Sequence, residues 1–231
     1  MSSYHTLFHL FNNNLNEAKL SNIARISDVI ILADVLCSLP SVAHLVEKEV
    51  MRWIKKTPSF YKHSPELMWI ASFLHNQDIF CDAFIHMVGR MGAHTEELER
   101  ANKLLSPEIL LELHGEYLRI SKMMKEANQA ILRRVIDYPH LNTGFSEIIK
   151  AFTAKGSDDI GDRERYDIIS DTYLNTTNPE DDDDRSLVQA LKDLRKCNLS
   201  QQATDAYTRL RFEHLTCANP TPNELNWEVV W

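Results

Sequence analysis

His5 and His9 stand four residues apart, the spacing that puts two imidazoles on one helix face, as a zinc site built on a helix requires. Zinc needs a third and usually a fourth ligand, which the neighbouring sequence does not supply, so the pair reads as surface and packing histidines. The run Glu180-Asp181-Asp182-Asp183-Asp184 could attract a divalent cation or a basic partner segment. A calcium cage, however, sets its ligands at fixed offsets around a turn glycine, which this run lacks, and a solvated acidic loop is expected instead. Gly156 and Gly161 are spaced as in a phosphate loop, but Asp158 and Asp159 lie between them and Asp162 stands where lysine belongs. Their negative charge would expel phosphate. No G-x-S-x-G elbow, H-E-x-x-H pair or G-x-G-x-x-G fingerprint is present. A cysteine nucleophile would need a depressed pKa, which only tertiary surroundings can create. No catalytic residue, metal or cofactor is therefore predicted. The alternative is an enzyme with a composite helical pocket, built from residues distant in sequence.

The balance of residues narrows the classes further. A formal charge of −8 repels phosphate backbones, and Arg119, Lys122, Lys125, Arg133 and Arg134 together make no more than a solvated helix face, so no nucleic acid is expected. Cys37, Cys81, Cys197 and Cys217 are too far apart for a dense disulfide framework, and reduced thiols are expected. The opening residues lack a basic leader and no apolar run nears the roughly 20 residues that span a bilayer, so neither secretion nor a membrane partner is indicated. A cytoplasmic or nuclear protein is the expectation, and the sequons at Asn175 and Asn198 are then chance matches. With 44% hydrophobic content but six glycines in 231 residues, helices joined by polar turns fit better than a turn-rich sheet.

The elements follow from periodicity and punctuation. Residues 4–13 read as a short helix ended by Asn12-Asn13-Asn14, and residues 28–37 as a helix apolar all round and buried on several sides. Pro40 opens a helix to residue 56 whose stripe is Val42, Leu45, Val46, Val50, Trp53 and Ile54, with Thr57-Pro58 as its stop. Ser64-Pro65-Glu66 combines a capping oxygen, a proline suited to the first turn and a negative charge for the positive helix end. That helix runs to about residue 76. After Asn76-Gln77-Asp78, the stripe Ile79, Phe80, Ala83, Phe84, Met87 and Val88 makes its antiparallel partner, ending near Gly89 or Gly92.

Ser106-Pro107-Glu108 repeats the start signal and opens the longest helix, to about residue 136. Leu113, Tyr117, Ile120, Met124, Ala127 and Ile131 form a heptad-like seam that could face another chain. Packing within the chain is favoured, because Ala127 is weak in a seam and Gly115 costs the helix about 1 kcal/mol. Beyond Tyr138-Pro139, residues 145–155, 163–175, 186–196 and 199–212 are further helix candidates, separated by acidic stretches at 156–162 and 178–184 that suit loops or a boundary. The expected fold is thus all-α, an irregular multi-helix array with short helical hairpins and one long helix, divided into residues 1–138 and 139–231. The chain ends on Trp227, Val229, Val230 and Trp231, an apolar tail expected to dock on its own chain or bind a partner.

Ile31-Leu32-Ala33-Asp34-Val35-Leu36-Cys37-Ser38-Leu39-Pro40-Ser41-Val42 resembles the last two helices of a BTB/POZ domain of the fungal type, on its Leu-Ala-Asp and Leu-Pro elements. The stretch Leu67 to Leu74, followed by Asp78-Ile79-Phe80-Cys81-Asp82-Ala83-Phe84-Ile85-His86-Met87-Val88-Gly89, is similar to the BACK-like helical region that follows that domain. The clear likeness covers residues 28–89, and a looser likeness of layout reaches about residue 136. Leu36 stands where the family usually has an aromatic, and the opening strands of a complete BTB domain have no counterpart before Tyr4. Those strands and first helices make most of the family's dimer interface, so a homodimer would lack its main contact. The resemblance implies a protein-interaction module or adaptor with protein partners, in some family members a substrate adaptor for a cullin-type ubiquitin ligase. Two other readings stand beside it: the composite-pocket enzyme, and a truncated BTB relative without independent function.

Overall fold

Four helices of this chain start where a short polar side chain accepts a free N–H. Ser2 accepts from the His5 N–H at 3.4 Å and Asn22 from the Arg25 N–H at 2.9 Å. Asn76 accepts from Ile79 at 2.8 Å, and Ser106 from Ile109 at 3.4 Å. The computed structural model describes residues 2–12, 20, 22–92, 94–137, 169–171, 182–195 and 218, and of 134–137, 182–184 and 186 the backbone alone. Its helices are α1 (Ser3–Phe11), α2 (Ile23–Val35), α3 (Leu39–Lys56), a 3-10 turn (Phe60–His63), α4 (Ser64–Leu74) and α5 (Gln77–Arg90). They continue as α6 (Thr95–Leu104), α7 (Pro107–Asp137) and α8 (Asp182–Arg195). No strand occurs among the described residues, and the fold is all-α as the sequence predicts.

The α4–α5 hairpin is the most closely packed pair, and Phe80, Phe84, Leu67, Met68 and Ile70 are fully buried in it. Two left-handed residues shape the chain path. His75 (φ 51°) ends α4, with the Asn76 N–H donating to the Ala71 carbonyl, and Cys37 (φ 49°) ends α2, with the Ser38 N–H donating to Ala33. Both are Schellman-type exits made without glycine. Asn76 then serves twice, since its amide also donates to Glu47 on α3 at 2.6 Å.

Several expectations are corrected. α2 begins at Ile23, five residues before the periodicity indicates, because Asn22 caps it. Its burial is one-sided: Ile31, Val35 and Leu36 are exposed, Val35 by 72%. Ser64 does not cap α4; its hydroxyl donates to the Tyr61 carbonyl at 2.6 Å, because the 3-10 turn places that acceptor closer. α6 was not expected at all. α8 begins inside the acidic run rather than after it, at Asp182, consistent with the preference of negative residues for helix starts. The candidate helices at 145–155 and 199–212, most of that at 163–175, residues 156–162, the Tyr138-Pro139 boundary, Cys197, Cys217 and the tail Trp227 to Trp231 lie outside the described residues.

The long helix runs as its start signal and seam predict, with Glu108 held below the usual carboxylate range by its own backbone N–H and then by Ser106. Leu113, Ile120, Ala127 and Ile131 are buried, and α7 packs against α5, α6 and α8. Ile169, Leu187, Leu191, Leu194 and Ala218 join the same core cluster. The seam is therefore used within the chain. Gly115 faces open space, since a Cβ there would meet nothing within 4 Å. Gly115→Ala is expected to raise unfolding stability by about 0.5–1 kcal/mol, read as a higher denaturation midpoint at unchanged m-value. An unchanged or lower midpoint would show that this position has a packing role.

Candidate protein-docking site

α5 carries a column of polar residues into the core: Asp82, His86 and Arg90, one helical turn apart and all buried. Burying a charge is unfavourable unless it is paired, and Arg90 is paired twice over. Its Nε donates to Glu97 Oε2 at 3.0 Å and its Nη2 to Oε1 at 2.6 Å, a bidentate clamp from α5 to α6. Its guanidinium carbon also lies 4.9 Å from the Tyr61 ring centroid. His86 packs between the rings of Phe60 (5.4 Å) and Tyr61 (6.0 Å), as a packing histidine among core residues such as Phe80 and Ile85. Arg100 adds a second tie, donating to Glu66 at 2.6 Å and to the Lys62 carbonyl at 2.7 Å. These contacts hold the end of α5 in place.

Just beyond the clamp the chain turns away through Met91 and Gly92, and a cavity of about 530 Å³ opens between this corner and α7. That volume lies in the range of about 300–1,000 Å³ typical of binding pockets. One wall is Val88, Gly89 and Gly92. The other is an arc of α7 with an apolar side of Ile120, Met124 and Tyr117, and a polar side of Asn128, Ser121, Lys125 and Gln129, in which Leu132 falls between Ser121 and Lys125. At 100° per residue these eight positions cover about half of the helix circumference. Gly92 suits this contact: a Cβ would stand 2.9 Å from the Tyr117 hydroxyl oxygen, so a larger residue would push the end of that ring aside. Three seam residues line the groove, the half-buried Tyr117 and Met124 and the buried Ile120.

Charge on this stretch of α7 is mostly spoken for. Arg119 pairs with Glu116 at 2.7 Å and Lys122 with Glu126 at 3.8 Å, whereas exposed Lys125 makes no ion pair among the described residues. Of the basic face read from the sequence, Arg119 and Lys122 are thus engaged in pairs along the helix, and Lys125 is not. Among the described residues Lys125 is the one charged residue lining the groove, with no carboxylate, imidazole or thiol beside it.

The remaining sequence candidates are placed as follows. His5 and His9 share a face of α1, with ring centroids 4.5 Å apart, and no group of three metal-ligating side chains forms among the described residues. Cys37 and Cys81 are free thiols. Cys81 is shifted away from nucleophile chemistry: burial, then Asp82, Asp78 and Glu112, push its pKa up to about 11. No described helix is long and apolar enough to cross a membrane. A surface that the periodicity did not reveal is the outer side of α1, where Tyr4 (67%), Phe8 (64%) and Phe11 are exposed at helical spacing.

No family model, curated protein or solved structure matches this chain.

Alkylation with iodoacetamide at pH 8 is expected to label exposed Cys37 well before Cys81. A pKa near 11 leaves about a hundredfold less thiolate than the ordinary 9.0 would. Peptide mapping by mass spectrometry reads the order, and equal rates would contradict this account of Cys81.

Proposed function

We propose that this chain is a protein-interaction module that receives a segment of another protein in the groove between the end of α5 and α7. The carrying observation is the groove itself: an apolar floor left open beside a buried seam, with a polar rim able to fix orientation. Its lining supplies contacts rather than an acid–base pair, which favours recognition over chemistry. The resemblance to BTB/POZ proteins supports the same class of work, since members of that family act as interaction modules. Within it, the finer reading is an adaptor that presents a bound protein to a cullin-type ubiquitin ligase. Cytoplasmic or nuclear placement goes with that reading.

A photo-crosslinking residue at Gln129, on the groove rim, is expected to capture a discrete protein from native extract. The same probe at exposed Lys48 on α3 should not. Ser121→Trp, which fills the groove from a half-buried position, should abolish capture while leaving the thermal midpoint within a few degrees. Identical capture from both probe sites, or capture that survives Ser121→Trp, would reject the groove as the docking site.

A further inference from the structure

The groove's shape and charge narrow what can occupy it, given that it is a docking site as proposed above. It follows α7 from Tyr117 to Leu132, a run of about 22 Å at 1.5 Å per residue, or roughly four helical turns. Such a length is unsuited to a compact metabolite and suits a rod. Its cross-section is graded, from Ile120, Met124 and Tyr117 on one side to Ser121, Lys125 and Gln129 on the other. A helix with one apolar stripe and one polar edge matches both sides at once. The wall opposite is low, because Gly89 and Gly92 contribute no side chains, so a second rod can lie against α7 without displacing anything large.

Charge supplies the remaining selection. Arg119 and Lys122 already have glutamates on α7, and Lys125 has none. An ammonium beside an apolar floor is best complemented by a carboxylate brought by the occupant. We infer that the groove takes an amphipathic helix carrying an acidic residue that meets Lys125. A basic helix would place like charges together on the rim, and a neutral one would leave Lys125 to water.

The test uses the full chain and fluorescently labelled helical peptides of about 18 residues, long enough to span the groove. Three share a leucine stripe at i, i+3, i+4 and i+7 spacing and differ in one flanking residue, Glu, Gln or Lys. A fourth has the composition of the Glu peptide with its stripe scrambled. Anisotropy titrations are expected to rank Glu above Gln above Lys, with about three- to tenfold between the extremes, the scale of an exposed ion pair set against a like-charge contact. Lys125→Glu, an exposed substitution that leaves the core intact, should reverse the order, and the scrambled peptide should not bind.

The outcomes separate this inference from the reading it rests on. If stripe-bearing peptides bind, lose binding with Ser121→Trp, yet show no rank change with Lys125→Glu, the acidic selection is wrong and the groove remains a docking site. If no peptide binds while the Gln129 crosslink persists, the occupant is not a helix. If the crosslink is also absent, both readings fall.

Discussion

A 31-residue helix with an apolar stripe cannot stand free in water, and where that stripe is buried decides the rest of this molecule. α7 buries Leu113, Ile120, Ala127 and Ile131 within its own chain, against α5, α6 and α8. Within the α4–α5 hairpin, α5 is therefore the surface on which the long helix rests. Its end must be held rigid, and the Arg90–Glu97 pair under Tyr61 does so with two hydrogen bonds and a ring contact. Removing one partner of such a pair strands the other charge in the core, which typically costs about 3–5 kcal/mol. The groove is a by-product of the same arrangement, because α5 stops at Arg90 while α7 continues past it.

Much of the fold was legible because its punctuation is chemical. Ser106-Pro107 and Leu39-Pro40 mark helix starts, Thr57-Pro58 marks a stop, and the hairpin stripe from Ile79 to Val88 has a clear period. α6 escaped because its segment is rich in Glu, Lys and Arg, and His94 before it provides no side-chain cap. Its meaning lies in two charged residues, Glu97 and Arg100, which reach other helices. Periodicity treats charge as solvent-facing, so it could not show that Glu97, Arg90 and Glu49 are buried. The one-sided burial of α2 was hidden for the opposite reason: Ile31 and Val35 look like core residues until tertiary packing leaves them outside.

The candidate site was less legible than the elements that form it. Tyr117 and Met124 were readable as seam residues, but that they stay half-open depends on where α5 turns away, some 30 residues earlier. Gly92 carries a weak signal, a glycine just past a helix end; its role in admitting Tyr117 is visible only in three dimensions. Lys125 read as one of five basic residues. Arg119 and Lys122 differ from it in pairing with Glu116 and Glu126 at three- and four-residue spacing, a rule that sequence alone could have applied. The apolar tail from Trp227 to Trp231 rests on sequence alone, outside the described residues.

The account stands or falls on whether α7 satisfies its seam inside one chain and thereby leaves the adjoining arc for recognition. Amide hydrogen exchange along residues 113–131, followed at about 1 μM and about 100 μM protein, tests this directly, since packed helices exchange slowly and free ones do not. Slow exchange of equal rate at both concentrations is the predicted result. Fast exchange in dilute solution that slows on concentration would mean that the seam belongs to a partner copy, and would contradict the account.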